Sequence, residues 1–256
     1  MFTMSKLKTG GREEAAALEF ERPLTTVDIV IFAIRDETLC VLLVRRPTDP
    51  NEPFPGYWAL PGGFVDTTRD SDLEACAVRK LREKTALDTA YLEQLGSWGG
   101  ATRDPRGWSA THVYFSLIPS DALELRPGGN ATDLQWLPIK DDKVDKVDEL
   151  LAFDHAVLLK AAVARLRAKV EYTSLPAFLM PSEFTLTELQ QTYEIILARE
   201  LEKKAFRTRV LSANLLDVVP RVKSGSNRPA QLYRLKRKRQ LYLFSRPFGS
   251  APPPSK

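Results

Sequence analysis

From Val27 to Val44 the chain carries apolar side chains on both parities of an extended strand. Val27, Ile29, Ile31 and Ala33 alternate with Asp28, Val30 and Phe32; Arg35-Asp36-Glu37-Thr38 then makes a turn, and Leu39 to Val44 return. Successive side chains of a strand point to opposite faces. Residues 25–46 therefore read as a β-hairpin buried on both faces. Further strands are expected at 91–98, 112–118 and 133–137, separated by Pro-rich and Gly-rich connections. Helices are expected at 71–87 and at 147–169. The first opens with a capping box, Ser71-Asp72-Leu73-Glu74, and places Leu73, Ala77 and Leu81 on one face. The second has Leu150, Leu151, His155, Leu158, Leu159, Ala162 and Leu166 at helical spacing.

The remainder of the chain is a second unit. Tyr172-Thr173-Ser174-Leu175-Pro176, followed by Pro181, marks a hinge, because the prolines interrupt any continuing helix. The expected division is a flexible leader at 1–20, a first domain at 21–172, a second at 173–248 and a disordered tail at 249–256. No run approaches the length of an apolar membrane span, and no apolar block of a secretory signal stands near Met1, so the expected location is the cytoplasm. Cys40 and Cys76 lie apart in apolar stretches and are expected in the core, giving neither a disulfide framework nor a zinc site.

Charge separates the two units. Residues 171–256 carry 15 Lys and Arg against 7 Asp and Glu, whereas residues 1–170 carry 22 against 26. From Lys203 to Arg246 there are 13 basic residues and one acid, Asp217. Such one-sidedness points to a polyanion as partner. Thr185-Leu186-Thr187-Glu188 is a second capping box, opening a helix with Leu189, Tyr193, Ile196 and Leu197 on its apolar face. A second helix at 204–214 packs Phe206, Val210 and Ala213 inward, with Lys203, Lys204, Arg207 and Arg209 on or near its outer side. This is the pattern of a helix-turn-helix recognition element, which enters the major groove of duplex DNA. Val218, Val219 and Val222 then approach the tip Ser224-Gly225-Ser226-Asn227, and residues 230–235 return: a wing. Arg221, Lys223 and Arg228 near the tip are the expected phosphate contacts and Asn227 is a further expected DNA-binding residue, with Lys236-Arg237-Lys238-Arg239 adding sequence-independent attraction.

In the first unit, Trp58-Ala59-Leu60-Pro61-Gly62-Gly63-Phe64-Val65 precedes a helix containing Arg79-Lys80-Leu81-Arg82-Glu83-Lys84-Thr85-Ala86-Leu87. This resembles the Nudix box, whose helical carboxylates hold a divalent metal on a diphosphate. Three carboxylates at i, i+3 and i+4 would converge on one hard cation. Here that face reads Lys80, Glu83 and Lys84, and Ser71 stands where the earlier glutamate of the box is expected. Two ammonium groups within 4 to 6 Å would oppose a cation by roughly a few kcal/mol. The expectation is no metal site, no catalytic residues and binding of a diphosphate without cleavage.

Together with Arg103-Asp104-Pro105-Arg106-Gly107-Trp108-Ser109, Leu151-Ala152-Phe153-Asp154-His155, Phe184-Thr185-Leu186, Arg228-Pro229-Ala230 and Leu232-Tyr233-Arg234-Leu235, these motifs resemble the Nudix-related, NAD-responsive transcriptional regulators (NrtR). The resemblance implies an α+β architecture: a Nudix-type α/β/α sandwich followed by a winged helix-turn-helix domain. It also implies a homodimeric repressor of NAD biosynthesis or salvage genes on a palindromic double-stranded DNA operator. ADP-ribose would be its effector and no cofactor would be required. The expected effector contacts are Arg46, Gly63, Phe64, Arg79, Lys80, Glu83, Arg103, Arg106 and Trp108; a loop offering guanidinium groups beside an aromatic face suits a phosphate and a base. Two of these have plainer readings, Arg79 with Glu83 as a bracing ion pair and Trp108 as a ring packed across the sheet. His112 and His155 are read as structural. An ADP-ribose pyrophosphatase using Glu83 with a displaced carboxylate such as Asp70 is the alternative, and an RNA-binding decapping-like protein a third.

Overall fold

A computed structural model describes residues 22–85, 91–119, 133–144, 147, 150–224, 229–236, 240–245 and 247–248, with the backbone alone at Lys84 and Thr85. The leader at 1–20 and the tail at 249–256 lie outside the described residues.

Strands β1 (Leu24–Arg35) and β2 (Thr38–Arg45) form the expected hairpin. Asp36 and Glu37 both have positive φ, 46° and 57°, which gives a two-residue turn whose twist matches the strands. Two short strands that carry too little periodicity to be read from sequence, β3 (Trp58–Ala59) and β4 (Gly62–Phe64), pair with β2 and β1. Helix α1 (Leu73–Thr85) follows, then β5 (Tyr91–Gly100), β6 (Ser109–Leu117), β7 (Asp133–Lys140), β8 (Lys143–Val144) and α2 (His155–Val170). The sheet runs β5-β6-β1-β2-β7-β8, with β1 and β6 parallel and its other pairs antiparallel.

The parity of β1 decides the layering. Val27, Ile29 and Ile31 cluster with Cys76, Ala77 and Leu81 of α1, while Val30 and Phe32 cluster with Leu158, Leu159 and Ala162 of α2. A strand with both faces covered this way sits in the middle of an α/β/α sandwich.

Two expectations about helix starts are corrected. The cap of α1 is Asp72 rather than Ser71: Asp72 Oδ1 accepts the Ala75 amide at 2.8 Å, and Ser71 donates its hydroxyl to Asp72 Oδ2 at 3.0 Å. A carboxylate at this position also complements the positive end of the helix dipole. α2 begins at His155, not at 147. Leu151 bridges Trp58 in parallel register, the Ala152 amide donates to Trp58 O at 2.8 Å, and Phe153 has φ 55°. The chain is pinned to β3 until it passes Phe153, so helical spacing alone misplaces the start.

A buried 3-10 turn, Leu175–Leu179, occupies the expected hinge, and Leu175, Phe178 and Leu179 belong to the same apolar cluster as Val170, Leu186 and Tyr193. The second unit comprises β9 (Phe184–Thr185), α3 (Leu186–Leu197), α4 (Lys203–Ser212), β10 (Leu216–Lys223) and β11 (Ala230–Leu235). Its sheet order is β10-β11-β9. The Thr185 capping box forms in both directions, Glu188 N to Thr185 Oγ1 at 3.2 Å and Thr185 N to Glu188 Oε2 at 2.7 Å. Two helices followed by a β10–β11 hairpin are a winged helix. Cys40 and Cys76 are buried free thiols, and among the described residues no helix is long and apolar enough to cross a membrane.

Candidate functional site

Close approach of β4 to β1 builds the floor of a cleft. A Cβ on Gly62 would lie 2.2 Å from Asp28 Oδ1 and 2.4 Å from Val27 O, so glycine is required there. Gly63, at φ 139°, turns the loop toward α1, whose Lys80 Nζ sits 3.0 Å from where its Cβ would be. The cleft encloses about 610 Å³ and is lined by eight of the nine expected effector residues: Arg46, Gly63, Phe64, Arg79, Lys80, Glu83, Arg103 and Arg106. Seven Lys and Arg side chains line it against five Asp and Glu, a balance that favours an anionic ligand.

Trp108 is not in the lining. Trp108 directly precedes β6, which begins at the wholly buried Ser109. Trp108 is 53% exposed, and its ring lies over Gly99, where an added Cβ would stand 3.0 Å from it.

Arg46, Arg106 and Arg103 each have a fixed seat. Arg46 donates to Glu52 Oε2 at 3.1 Å and to Pro53 O at 2.7 Å, and its guanidinium lies 5.0 Å over the Phe153 ring. Arg106 is held by both oxygens of Asp104, at 3.0 and 2.8 Å, and lies 5.0 Å over Phe64. Arg103 is gripped by both oxygens of Asp154, at 3.0 and 2.8 Å, and donates to Ser109 Oγ at 3.2 Å. Aromatic rings and guanidinium groups thus meet in one space, which suits a nucleotide.

The carboxylates are arranged differently from a metal site. Asp70 receives Arg79 Nε and Nη2 at 2.6 Å each, and the Asp66 amide at 2.8 Å. The Arg79 guanidinium holds the Asp70 carboxyl well below the usual carboxylate range. Glu83 accepts Arg79 Nη1 at 3.1 Å, so the bracing ion pair read from the i, i+4 spacing forms. Among the described residues no three His, Cys, Asp or Glu side chains are grouped to hold a metal ion. The Lys84 side chain lies outside the described residues.

Asp28 escaped the sequence reading as a lining residue because segments distant in sequence bring its partners to it. Asp28 on β1 accepts Thr111 Oγ1 at 2.7 Å and lies 3.8 Å from His155 Nε2. His155 Nδ1 accepts the Leu60 amide at 2.9 Å, and burial pushes the imidazole pKa down, keeping it neutral. This is the structural role expected of His155.

In the winged helix, Lys203 and Lys204 are exposed at the start of α4, where Glu202 caps the Lys204 and Ala205 amides at 2.8 and 2.6 Å. Arg207 is half-buried and donates to Thr187 Oγ1 at 3.3 Å. Arg209 departs from the expectation. Its guanidinium turns away from the outer side and lies 4.3 Å over the Phe248 ring and 6.0 Å over Phe244. Position 209 flanks the buried stripe of Phe206 and Val210, and the aromatic rings that draw it inward arrive from the C-terminal segment. Arg221 pairs with Glu183 at 2.6 Å and Lys223 with Glu188, both on the exposed wing. Asn227 and Arg228 lie outside the described residues, as do Arg237, Lys238 and Arg239.

Comparison with known proteins follows this division. The NUDIX domain model matches residues 23–160, and the NrtR DNA-binding winged helix domain model matches residues 176–235. The chain is 48% identical over 216 residues to the ADPR responsive transcriptional repressor NtrR of Acinetobacter baylyi, covering 84% of this chain and 83% of that protein. Shewanella oneidensis NrtR complexed with a 27mer DNA superposes with a TM-score of 0.76 at 39% identity, covering 88% of this chain and 99% of that one. The NUDIX domain of the same protein complexed with ADP ribose gives 0.50 at 44% identity, covering 57% of this chain and 90% of that one. A Nudix-type cleft with its carboxylates tied to arginine, joined to a winged helix across a shared core, and matched by both domain models in this order, places the chain in the NrtR family of transcriptional regulators.

Proposed function

We propose that this protein is a DNA-binding transcriptional repressor of NAD biosynthesis or salvage genes, whose Nudix domain binds ADP-ribose and thereby releases the operator. The observation that carries this reading is the cationic, aromatic-walled cleft in one chain with a winged helix whose α4 presents Lys203 and Lys204 to solvent. The diphosphate of ADP-ribose would meet Lys80, Arg46 and Arg106, and the adenine would stack on Phe64 or Phe153. Arg79 and Glu83 brace the loop, and Arg103 fixes the start of α2.

Catalysis is not part of the reading. A hydrolytic Nudix centre needs free carboxylates around a divalent cation; here Asp70 is occupied by Arg79, Glu83 shares the same arginine, and Lys80 leans over the glycine loop. The residues do not fit a magnesium ion. On DNA, Lys203, Lys204 and Arg207 of α4 and Arg221, Lys223, Asn227 and Arg228 of the wing form the contact set. Two such helices in a homodimer would read a palindromic site with half-sites about one helical turn apart. Effector binding shifts DNA affinity only to the extent that ADP-ribose prefers one arrangement of the two winged helices.

The test is fluorescence anisotropy on duplex DNA from upstream of NAD-synthesis genes, with and without ADP-ribose, and with the same samples assayed in magnesium for AMP. Sequence-selective binding weakened by ADP-ribose, without AMP release, is expected. Steady turnover without selective DNA binding would replace this reading with a pyrophosphatase.

A further inference from the structure

The described C-terminal segment, residues 240–245 and 247–248, lies beyond both domain matches, which end at residues 160 and 235, yet it is bound firmly on two sides. On one side it pairs with the junction that follows α2. The Ser174 amide donates to Tyr242 O at 2.9 Å, the Phe244 amide to Tyr172 O at 2.7 Å, and the Phe248 amide to Glu171 O at 2.8 Å. On the other side its rings enter the core of the winged helix. Phe248 lies 5.0 Å from Tyr193 of α3 and 5.8 Å from Phe206 of α4, and beneath the Arg209 guanidinium. Arg199 closes the arrangement, donating to both oxygens of Glu171 at 2.9 and 2.8 Å and to Phe248 O at 3.1 Å.

The other end of α2 touches the cleft. Its N-cap residue, Asp154, is the partner of Arg103, and His155 at its first position lines the cavity. Sixteen helical residues span about 24 Å as a stiff rod. A displacement of Arg103 or of the start of α2 is therefore delivered to Glu171, and from there to the segment that packs on Phe206 and Arg209.

We infer that residues 241–245 and 247–248 form a strap that couples the effector cleft to the recognition helix, through α2 on one side and the Phe248–Phe206–Arg209 stack on the other. The inference rests on the effector-repressor reading above for its biological meaning, but its mechanical half stands apart from it. A strap bonded to the junction by main-chain hydrogen bonds and to α4 by ring packing makes the two domains unfold together; without it they have a smaller shared interface and separate. A segment that only fills the core would lower the melting temperature and leave communication intact.

The experiment compares the full chain with a variant ending at Gln240 and with full-length Phe248→Ala, which keeps the main-chain pairing if the truncation fails to fold. Calorimetry follows the number of unfolding transitions. Titration gives the Kd for ADP-ribose, and anisotropy gives the ratio of DNA Kd with and without saturating ADP-ribose. Expected are one transition in the full chain and two in the variants, an ADP-ribose Kd within about threefold of the parent, and a ratio reduced at least about fivefold toward unity. A ratio equal to that of the full chain overturns the inference, whatever the melting curves show. If the full chain itself shows no response to ADP-ribose, the functional reading fails, and the melts decide the strap alone: a single transition in both variants refutes it, two transitions uphold it.

Discussion

Arg79 holds Asp70 by two parallel hydrogen bonds of 2.6 Å, Nε to Oδ1 and Nη2 to Oδ2, at a position where the Asp70 side chain is 1% exposed. That pair engages both oxygens of the Asp70 carboxylate. It also turns the loop before α1 into a fixed wall of the cleft.

Cutting this pair from the arginine side leaves the Asp70 carboxylate without its guanidinium partner. Arg79→Ala should therefore destabilise the protein by about 1.5 kcal/mol, below the range for deeply buried pairs because Asp70 lies near the surface. Urea denaturation measures this, and a loss near zero would mean that water replaces the guanidinium. Asp70→Asn, which keeps hydrogen-bonding groups in place, should cost less.

Ligand binding should discriminate among the loop residues. Arg106→Ala and Lys80→Ala each remove a charged donor from the cleft, which is worth about 1.5 to 3 kcal/mol, or roughly 10- to 100-fold in ADP-ribose Kd. Trp108→Ala should leave Kd within about twofold, since its ring lies outside the cavity over Gly99. Calorimetric titration of the three variants checks the contrast; a large effect at Trp108 would show that the ring swings in when ligand arrives.

On DNA, Lys203→Ala and Lys204→Ala should each weaken binding to all sequences alike and lower the slope of log K against log salt by about 0.9. Arg209→Ala should act otherwise. Its guanidinium stacks on Phe248, so its removal should lower the melting temperature while leaving the salt slope near that of the parent. Anisotropy titrations over a salt series, with thermal melts alongside, separate the two behaviours.

Acid should destabilise the fold in two steps. Burial lowers the pKa of His155, so below about 6.5 the unfolded chain binds a proton that the folded chain refuses. The stability present above that pH is lost as pH falls, by up to about 1.36 kcal/mol per unit. The lowered pKa of Asp70 adds a second loss below its ordinary value of 3.8. Unfolding free energies from pH 7.5 to 5 should fall in the parent and flatten in His155→Asn; parallel slopes would remove His155 as the source.

Much of this protein is settled by local chemistry. The two-parity apolar run at Val27–Val44 requires a strand covered on both faces, and the Thr185–Glu188 box starts α3 where its spacing says. These depend on periodicity and on neighbours three or four residues away, which the sequence displays directly. The fate of Trp108, the true start of α2 and the inward turn of Arg209 were decided elsewhere: by Gly99 on a neighbouring strand, by Trp58 of β3, and by Phe244 and Phe248 from the end of the chain. Asp28 and His155 meet in the cleft from positions more than a hundred residues apart. Contacts of that range carry no periodic trace in the sequence, because each is fixed by how the sheet and helices close on one another, and only the tertiary structure brings the partners together.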